Sequence, residues 1–248
     1  MMTQKDLLFR QFQIRKYNRK RMVPAVNMTI EIAADNMLEF KNKLNTASDK
    51  ANSHITVNHF ILKAVADSLK HYPDLYSYFY GNRIVPNDEV ILNIPVDIGS
   101  HVEYIILRHP DMKSLSEIAT ECAEEVELIR AGNGSNMELI HFLVHIPFLT
   151  RIGYLKKKKK VYSFVNEKNG NFPVSNFGTF HLKSGNVTLS QPLIGGLCIG
   201  SIKKEATGCS ILLTLTFDHR AIDGAYGGRF LNEVKARLEQ PESEFTGK

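Results

Sequence analysis

The sequence predicts an α/β fold of the two-layer α+β type, in which helices pack on one mixed sheet. Strand-like and helix-like segments alternate along the 248 residues, which is typical of layered α/β and α+β proteins. Hydrophobic residues make up 43% of the chain, enough for a substantial core. No internal repeat and no Pro/Ser-rich linker marks a domain boundary.

The strands are predicted from apolar alternation and from short apolar runs. Residues 24–32 place Val26, Met28, Ile30 and Ile32 on one face, as in a half-buried strand. Further strand-like segments occur at 90–98, 103–107, 161–165, 172–176, 187–189, 194–202 and 210–217.

The helices are predicted from capping residues followed by an apolar stripe. Asp35 and Thr56 fit the N-caps of two helices, and Ser114 with Glu117 forms the capping box S-x-x-E of a third. Pro73 follows the second helix, where a helix cannot continue. Two more helices are predicted over 136–149 and from about Gly224 onward.

Charge and apolar content exclude several classes of protein. The formal net charge is +5, with basic clusters at 15–21 and 156–160 that could attract nucleic acid, anionic lipid or a phosphate-rich ligand. No nucleic-acid-binding motif accompanies them, so a nucleic-acid partner is not expected. The most apolar stretch, 139–149, is too short to span a membrane, and no secretory signal is visible. The three widely spaced cysteines fit reduced thiols, and we expect a cytoplasmic protein.

The segment with the clearest chemistry is F-D-H-R-A-I-D-G at 217–224. A predicted strand delivers His219 to its end, where a histidine can serve as a general base. The purely structural alternatives are that His219 is a hydrogen-bonded core residue and that Asp223 caps the last helix.

This segment, followed by GGRFLNEVKARLEQP, resembles the C-terminal signature of the dihydrolipoamide acyltransferase catalytic domains of 2-oxoacid dehydrogenase complexes. Chloramphenicol acetyltransferases are relatives with a similar H-x-x-x-D-G. The segment VSNFG at 174–178 resembles the family pattern [IV]-S-[NS]-[LF]-G, and TVNHFILKA at 56–64 resembles T-x-[ND]-F-[LI]-x-K-A. The resemblance covers roughly residues 24–241. It implies a chloramphenicol-acetyltransferase-like fold, with one catalytic domain over 24–248 after a basic segment at 1–23.

The resemblance also implies roles for individual residues. His219 matches the general base, Ser175 the serine proposed to hydrogen-bond the oxyanion, and Asp223 the aspartate that holds the active-site turn by pairing with an arginine. Arg19 is the candidate partner, because YNRKRM resembles the arginine-bearing N-terminal segment of chloramphenicol acetyltransferases, and Arg15 and Arg21 are the nearby alternatives. Coenzyme A is the implied substrate. The implied assembly is a homotrimer with active sites between subunits.

Because the sequence departs from the family pattern, the identity of the acyl acceptor stays open. No lipoyl domain or peripheral-subunit-binding domain is expected, because about twenty residues precede the first strand. The family's hairpin after VDIG is missing, and a loop of this kind shapes a substrate channel. We therefore expect the acceptor to be a dihydrolipoyl thiol on a separate protein or a small hydroxyl or amine compound. A non-catalytic assembly or scaffold protein is the rival from another class.

Two further clusters of residues can be interpreted as functional or as purely structural. The Lys156–Lys160 run could attract the phosphates of coenzyme A, or it could be solvated surface. His141 and His145 are four residues apart, but no HExxH pattern or third ligand accompanies them, so core histidines are favoured and no metal is expected.

Overall fold

The structure is a computed structural model that describes residues 23–47, 54–80, 82–99, 101–132 and 169–246. Several predictions fall outside these residues and stay predictions. They are the strand at 161–165, the helix over 136–149, Arg19, His141 with His145, and the Lys156–Lys160 run.

A seven-stranded mixed sheet dominates the described part of the chain, in the order β1-β9-β7-β6-β4-β5 with β8 paired to β9. Its parallel pairs are β4–β6 and β6–β7, and its other pairs are antiparallel. A separate two-stranded hairpin is formed by β2 and β3. The strands are β1 (Ala25–Ala33), β2 (Tyr78–Tyr80), β3 (Arg83–Val85), β4 (Ile91–Asp97), β5 (Val102–Arg108), β6 (Phe172–Asn176), β7 (Gly195–Ile199), β8 (Lys203–Glu205) and β9 (Gly208–Asp218).

Helices pack against this sheet around one large hydrophobic core, which confirms the predicted architecture. They are α1 (Asp35–Ala47), α2 (Val57–Leu69), α3 (Leu115–Arg130), α4 (Gly224–Glu239) and α5 (Pro241–Phe245). The central helix, α2, contacts α1, α3 and α4 and is buried continuously from residue 59 to residue 69. Such all-round burial is typical of a helix inside a core. Within the described ranges, no helix is long and apolar enough to cross a bilayer.

The predicted helix starts are mostly confirmed. The backbone N–H of Glu117 donates to the Ser114 hydroxyl, and the Glu117 carboxylate accepts from the Ser114 backbone N–H at 2.7 Å. Thr56 is the N-cap of α2. The prediction for Asp35 is wrong in detail. It is the first residue of α1, and its carboxylate accepts from the backbone N–H of Cys209, so it joins α1 to β9.

The predicted strand at 187–189 is wrong. Val187 and Leu189 are buried, but they belong to a loop that packs against Cys198 of β7. Their alternation therefore reflects loop burial and not strand pairing. The β2–β3 hairpin was not predicted, because strands of three residues are too short to show a period of two.

Candidate active site

His219 lies in the turn between the end of β9 at Asp218 and the start of α4 at Gly224. Its backbone N–H donates to the carbonyl of Pro24 at 3.1 Å, which ties the turn to the start of β1. The side chain is exposed, and Nδ1 lies 3.1 Å from the carbonyl oxygen of Ile222. Because a carbonyl only accepts, this contact places the proton of the neutral ring on Nδ1. The Nε2 lone pair is then free to accept a proton.

Asp218 fixes the turn that carries His219 through its backbone N–H, its backbone carbonyl and its carboxylate. Its backbone N–H donates to Ile194 at 2.8 Å, and its carbonyl accepts from Ala221 at 3.0 Å and from Ile222 at 3.2 Å. Its carboxylate is fully buried and accepts hydrogen bonds from Arg220, and these bonds raise the pKa of that guanidinium above its ordinary value. Sequence reasoning missed this pair. The strand period of two gave no signal for it, because β9 ends at Asp218 and Arg220 lies in the turn that follows.

Asp223 is the N-cap of α4. Its Oδ1 accepts from the backbone N–H of Tyr226 at 2.8 Å, and the side chain is otherwise exposed. The helix-cap interpretation is therefore confirmed. Pairing with Arg19 stays a prediction, because Arg19 lies outside the described residues.

Ser175 lies on β6, opposite Cys198 of β7, which in turn lies opposite Thr214 of β9. His219 follows Thr214 by five residues. At about 3.3 Å per residue this offset is about 17 Å along the strands, and two strand spacings add about 10 Å across them. Ser175 and His219 of one chain are therefore about 20 Å apart by this register. An oxyanion donor must lie within about 3 Å of the oxygen it stabilises, so one chain does not bring the two side chains to the same reacting carbonyl.

The buried cysteines are poor nucleophiles. Burial raises the pKa of Cys198 to about 11 and that of Cys122 to about 12, which keeps both thiols protonated near neutral pH. Cys198 is a core residue with 1% exposure, whereas Cys209 is only partly buried. Over the described ranges, no cluster of three or more His, Cys, Asp or Glu side chains could hold a metal ion.

The chain matches the model of the family described as 2-oxoacid dehydrogenases acyltransferase (catalytic domain) over residues 11–142 and 154–246. Two curated relatives are dihydrolipoyllysine-residue acetyltransferase components. The one from the pyruvate dehydrogenase complex of Zymomonas mobilis is 26% identical, covering 90% of this chain and 46% of that protein. The one from the acetoin cleaving system of Bacillus subtilis is 27% identical, covering 88% of this chain and 50% of that protein. The chain thus spans about half the length of these relatives.

Solved structures show the same fold. The cubic core of a pyruvate dehydrogenase multienzyme complex matches with a TM-score of 0.77 at 20% identity, over 98% of this chain and 92% of the other. Dihydrolipoamide acetyltransferase from Azotobacter vinelandii matches over the same shares with a TM-score of 0.76 at 20% identity. That structure was solved to study a serine, a histidine and an asparagine in the catalytic mechanism.

A more distant match extends the fold to a second group of enzymes. Chloramphenicol acetyltransferase matches with a TM-score of 0.51 at 14% identity, over 95% of this chain and 93% of the other. The predicted chloramphenicol-acetyltransferase-like fold is therefore confirmed. The family model matches well over half of the sequence. This chain belongs to the 2-oxoacid dehydrogenase acyltransferase family, through its catalytic domain.

Proposed function

We propose that this chain transfers an acyl group between coenzyme A and a dihydrolipoyl thiol, with His219 as the general base. The observation that carries the proposal is the 3.1 Å contact between His219 Nδ1 and the Ile222 carbonyl. It makes Nε2 the proton acceptor of the neutral ring, on an exposed side chain, in a member of a family of acyltransferases.

The chemistry needs one base and no covalent enzyme intermediate. A thiol of pKa about 8.5 is mostly protonated near neutral pH, whereas imidazole of pKa about 6.5 is mostly free base. His219 Nε2 takes the thiol proton as the sulfur attacks the thioester carbonyl of acyl-CoA. The new C–S bond forms a tetrahedral oxyanion. Its collapse breaks the C–S bond to coenzyme A, and the leaving thiolate takes the proton back from His219.

We infer that the oxyanion is stabilised by Ser175 of a neighbouring copy. The register separation of about 20 Å within one chain supports this, because the serine hydroxyl and the base must reach one tetrahedral centre. A hydroxyl donor of this kind stabilises the transition state by about 3 kcal/mol. A homotrimer with three such sites between subunits satisfies this requirement by closed symmetry.

The names of two relatives favour a dihydrolipoyl acceptor over a small hydroxyl or amine compound. The relatives from Zymomonas mobilis and Bacillus subtilis act, by name, on dihydrolipoyllysine residues. A separate comparison concerns the base. In the Azotobacter vinelandii enzyme, the histidine and the asparagine studied are four positions apart, and His219 and Asp223 have the same spacing, with an aspartate in place of the asparagine. This shared spacing supports His219 as the base.

The test is a kinetic assay of acetyl-CoA with free dihydrolipoamide and, in parallel, with a panel of small alcohols and amines. We expect turnover with dihydrolipoamide and a loss of about 10²- to 10⁴-fold in kcat for His219→Gln. His71→Gln is the matched control, because His71 is an exposed histidine paired with Glu233 of α4. Equal turnover by His219→Gln and the wild type would overturn the mechanism.

The scaffold alternative predicts a different result in calorimetry. A catalytic protein binds acetyl-CoA whether or not the right acceptor has been supplied. A stable trimer or larger particle with no heat of acetyl-CoA binding would replace the catalytic proposal with an assembly role.

A further inference from the structure

We infer that Asp218 and Arg220 form a clamp around His219 and act as positioning residues for the base. The inference rests on the proposed function for its kinetic consequence. The geometry of the clamp itself is independent of which acceptor is used. Neither residue is proposed to touch the reacting atoms, since both act through the turn that carries His219.

The clamp is a multidentate ion pair. Arg220 donates through its backbone N–H to Asp218 Oδ1 at 3.0 Å and through Nε to the same oxygen at 2.9 Å. Nη2 of Arg220 donates to the other carboxylate oxygen at 2.6 Å. Fork-shaped pairing of this kind fixes orientation as well as position, because two parallel hydrogen bonds define a plane.

The clamp reaches the histidine ring through the backbone. The Asp218 carbonyl accepts from the backbone N–H groups of Ala221 and Ile222, and the Ile222 carbonyl accepts from His219 Nδ1. A shift of Asp218 therefore moves the acceptor that holds the ring. The carboxylate and the ring acceptor belong to one short, closed hydrogen-bonded turn.

The guanidinium is also anchored from outside the turn. Arg220 Cζ lies 4.8 Å from the centroid of the Phe79 ring on β2, within the range of a cation–π contact. The backbone N–H of Phe79 donates to Pro192 at 2.8 Å, so β2 is fastened to the segment that leads into β7. Arg220 thus joins the His219 turn to the β2–β3 hairpin.

Burial separates this pair from an ordinary surface ion pair. The Asp218 carboxylate is 0% exposed, whereas the Arg220 side chain is 36% exposed. Among the described residues, Arg220 is the cation that pairs with this carboxylate. Removing it leaves a buried charge without compensation, which is strongly destabilising. A local rearrangement that relieves this charge would shift the Asp218 carbonyl and release the His219 ring.

The kinetic test compares Arg220→Met and Arg220→Lys with the wild type. We expect kcat of Arg220→Met to fall about 10- to 100-fold, because small displacements of a catalytic group cost rates of this order. The KM for acetyl-CoA should stay within about two-fold, because Arg220 is not assigned to substrate binding. Arg220→Lys should recover part of kcat, since it restores the charge without the fork.

Arg237→Met is the matched control. Arg237 also bridges two carboxylates, Glu233 and Glu244, and it is more buried than Arg220 but lies on α4 beyond the turn. We expect it to lower stability and leave kcat unchanged. Equal kcat values for Arg220→Met and Arg237→Met, relative to wild type, would overturn the clamp.

A spectroscopic test does not depend on activity. Long-range ¹H–¹⁵N spectra at about pH 8, where histidine is neutral, report which ring nitrogen carries the proton. The His219 signal is assigned by its loss in His219→Gln. We expect the Nδ1–H tautomer in the wild type and a mixture of tautomers in Arg220→Met. An unchanged tautomer in Arg220→Met would overturn the clamp, whereas an inactive wild type with the expected tautomer change would overturn only the proposed function.

Discussion

Replacing Lys63 by Met would leave the buried charge of Asp67 without its partner, in the centre of the helical layer. Lys63 lies on α2, and its side chain is 4% exposed. Its ammonium group donates to Asp67 Oδ1 at 2.9 Å and to the backbone carbonyls of Asp111 at 3.0 Å and Pro110 at 3.4 Å. The lysine therefore joins the central helix to the short 3-10 turn that precedes α3. Methionine keeps the apolar stem and removes the charge.

The expected loss in the free energy of unfolding follows from the burial of Lys63 and Asp67. Breaking a buried ion pair by removing one partner costs about 3–5 kcal/mol, because the other charge stays buried. For a chain of this size, each kcal/mol lowers Tm by about 2–4 °C, so Lys63→Met should lower it by about 6–20 °C. The double variant Lys63→Met with Asp67→Leu removes both charges. We expect it to recover most of the loss, because replacing both partners of a buried pair is often close to neutral.

The assay is urea and thermal unfolding at one fixed protein concentration, because assembly makes apparent stability depend on concentration. Lys43→Met is the control. Lys43 pairs with Glu39 and Glu242 on the exposed side of α1, and we expect no resolvable loss there. A destabilisation by Lys63→Met no larger than that of the control would refute this reasoning. So would a double variant as unstable as the single one.

Two further predictions concern local caps. Burial, with a smaller effect of His54, lowers the pKa of His59 from 6.5 to about 4, and Nδ1 of His59 accepts from the backbone N–H of Thr56. The unfolded chain therefore binds a proton that the folded chain excludes, so stability should fall by about 3 kcal/mol as pH drops from about 6.5 to about 4. His59→Gln should remove that part of the pH dependence of the urea midpoint, and an unchanged pH profile would contradict the prediction. At α4, Asp223→Ala should cost about 1 kcal/mol through loss of the N-cap, whereas Asp223→Asn should keep it. Equal thermal stability of these two variants would rule out the cap as the source.

Much of the fold follows from local sequence signals. The box of Ser114 and Glu117 and the cap at Thr56 were predictable, because each places a polar side chain directly before an apolar stripe. The alternation in β1 was equally clear, because one face of that strand packs on the core. The alternation of Val187 and Leu189 led to the wrong prediction of a strand at 187–189, because a loop that covers a sheet also buries alternate residues.

The site was predictable in its residue types and less so in its contacts. His219 and its place at a strand end followed from the F-D-H-R-A-I-D-G segment. The pairing of Arg220 with Asp218 did not follow from the sequence. The two residues are only two positions apart, but their pairing depends on the burial of Asp218. The separation of Ser175 from His219 depends on strand order and register, which the sequence alone does not display.

The most direct test of a site shared between neighbouring copies is complementation between His219→Gln and Ser175→Ala chains. The two variants are unfolded, mixed in equal amounts and refolded, and acetyl-CoA turnover with dihydrolipoamide is measured. If each site takes its serine from one chain and its histidine from the next, random assembly completes about a quarter of the sites. We therefore predict that the mixture reaches about a quarter of wild-type kcat. Activity no higher than the average of the two refolded parents would contradict the account.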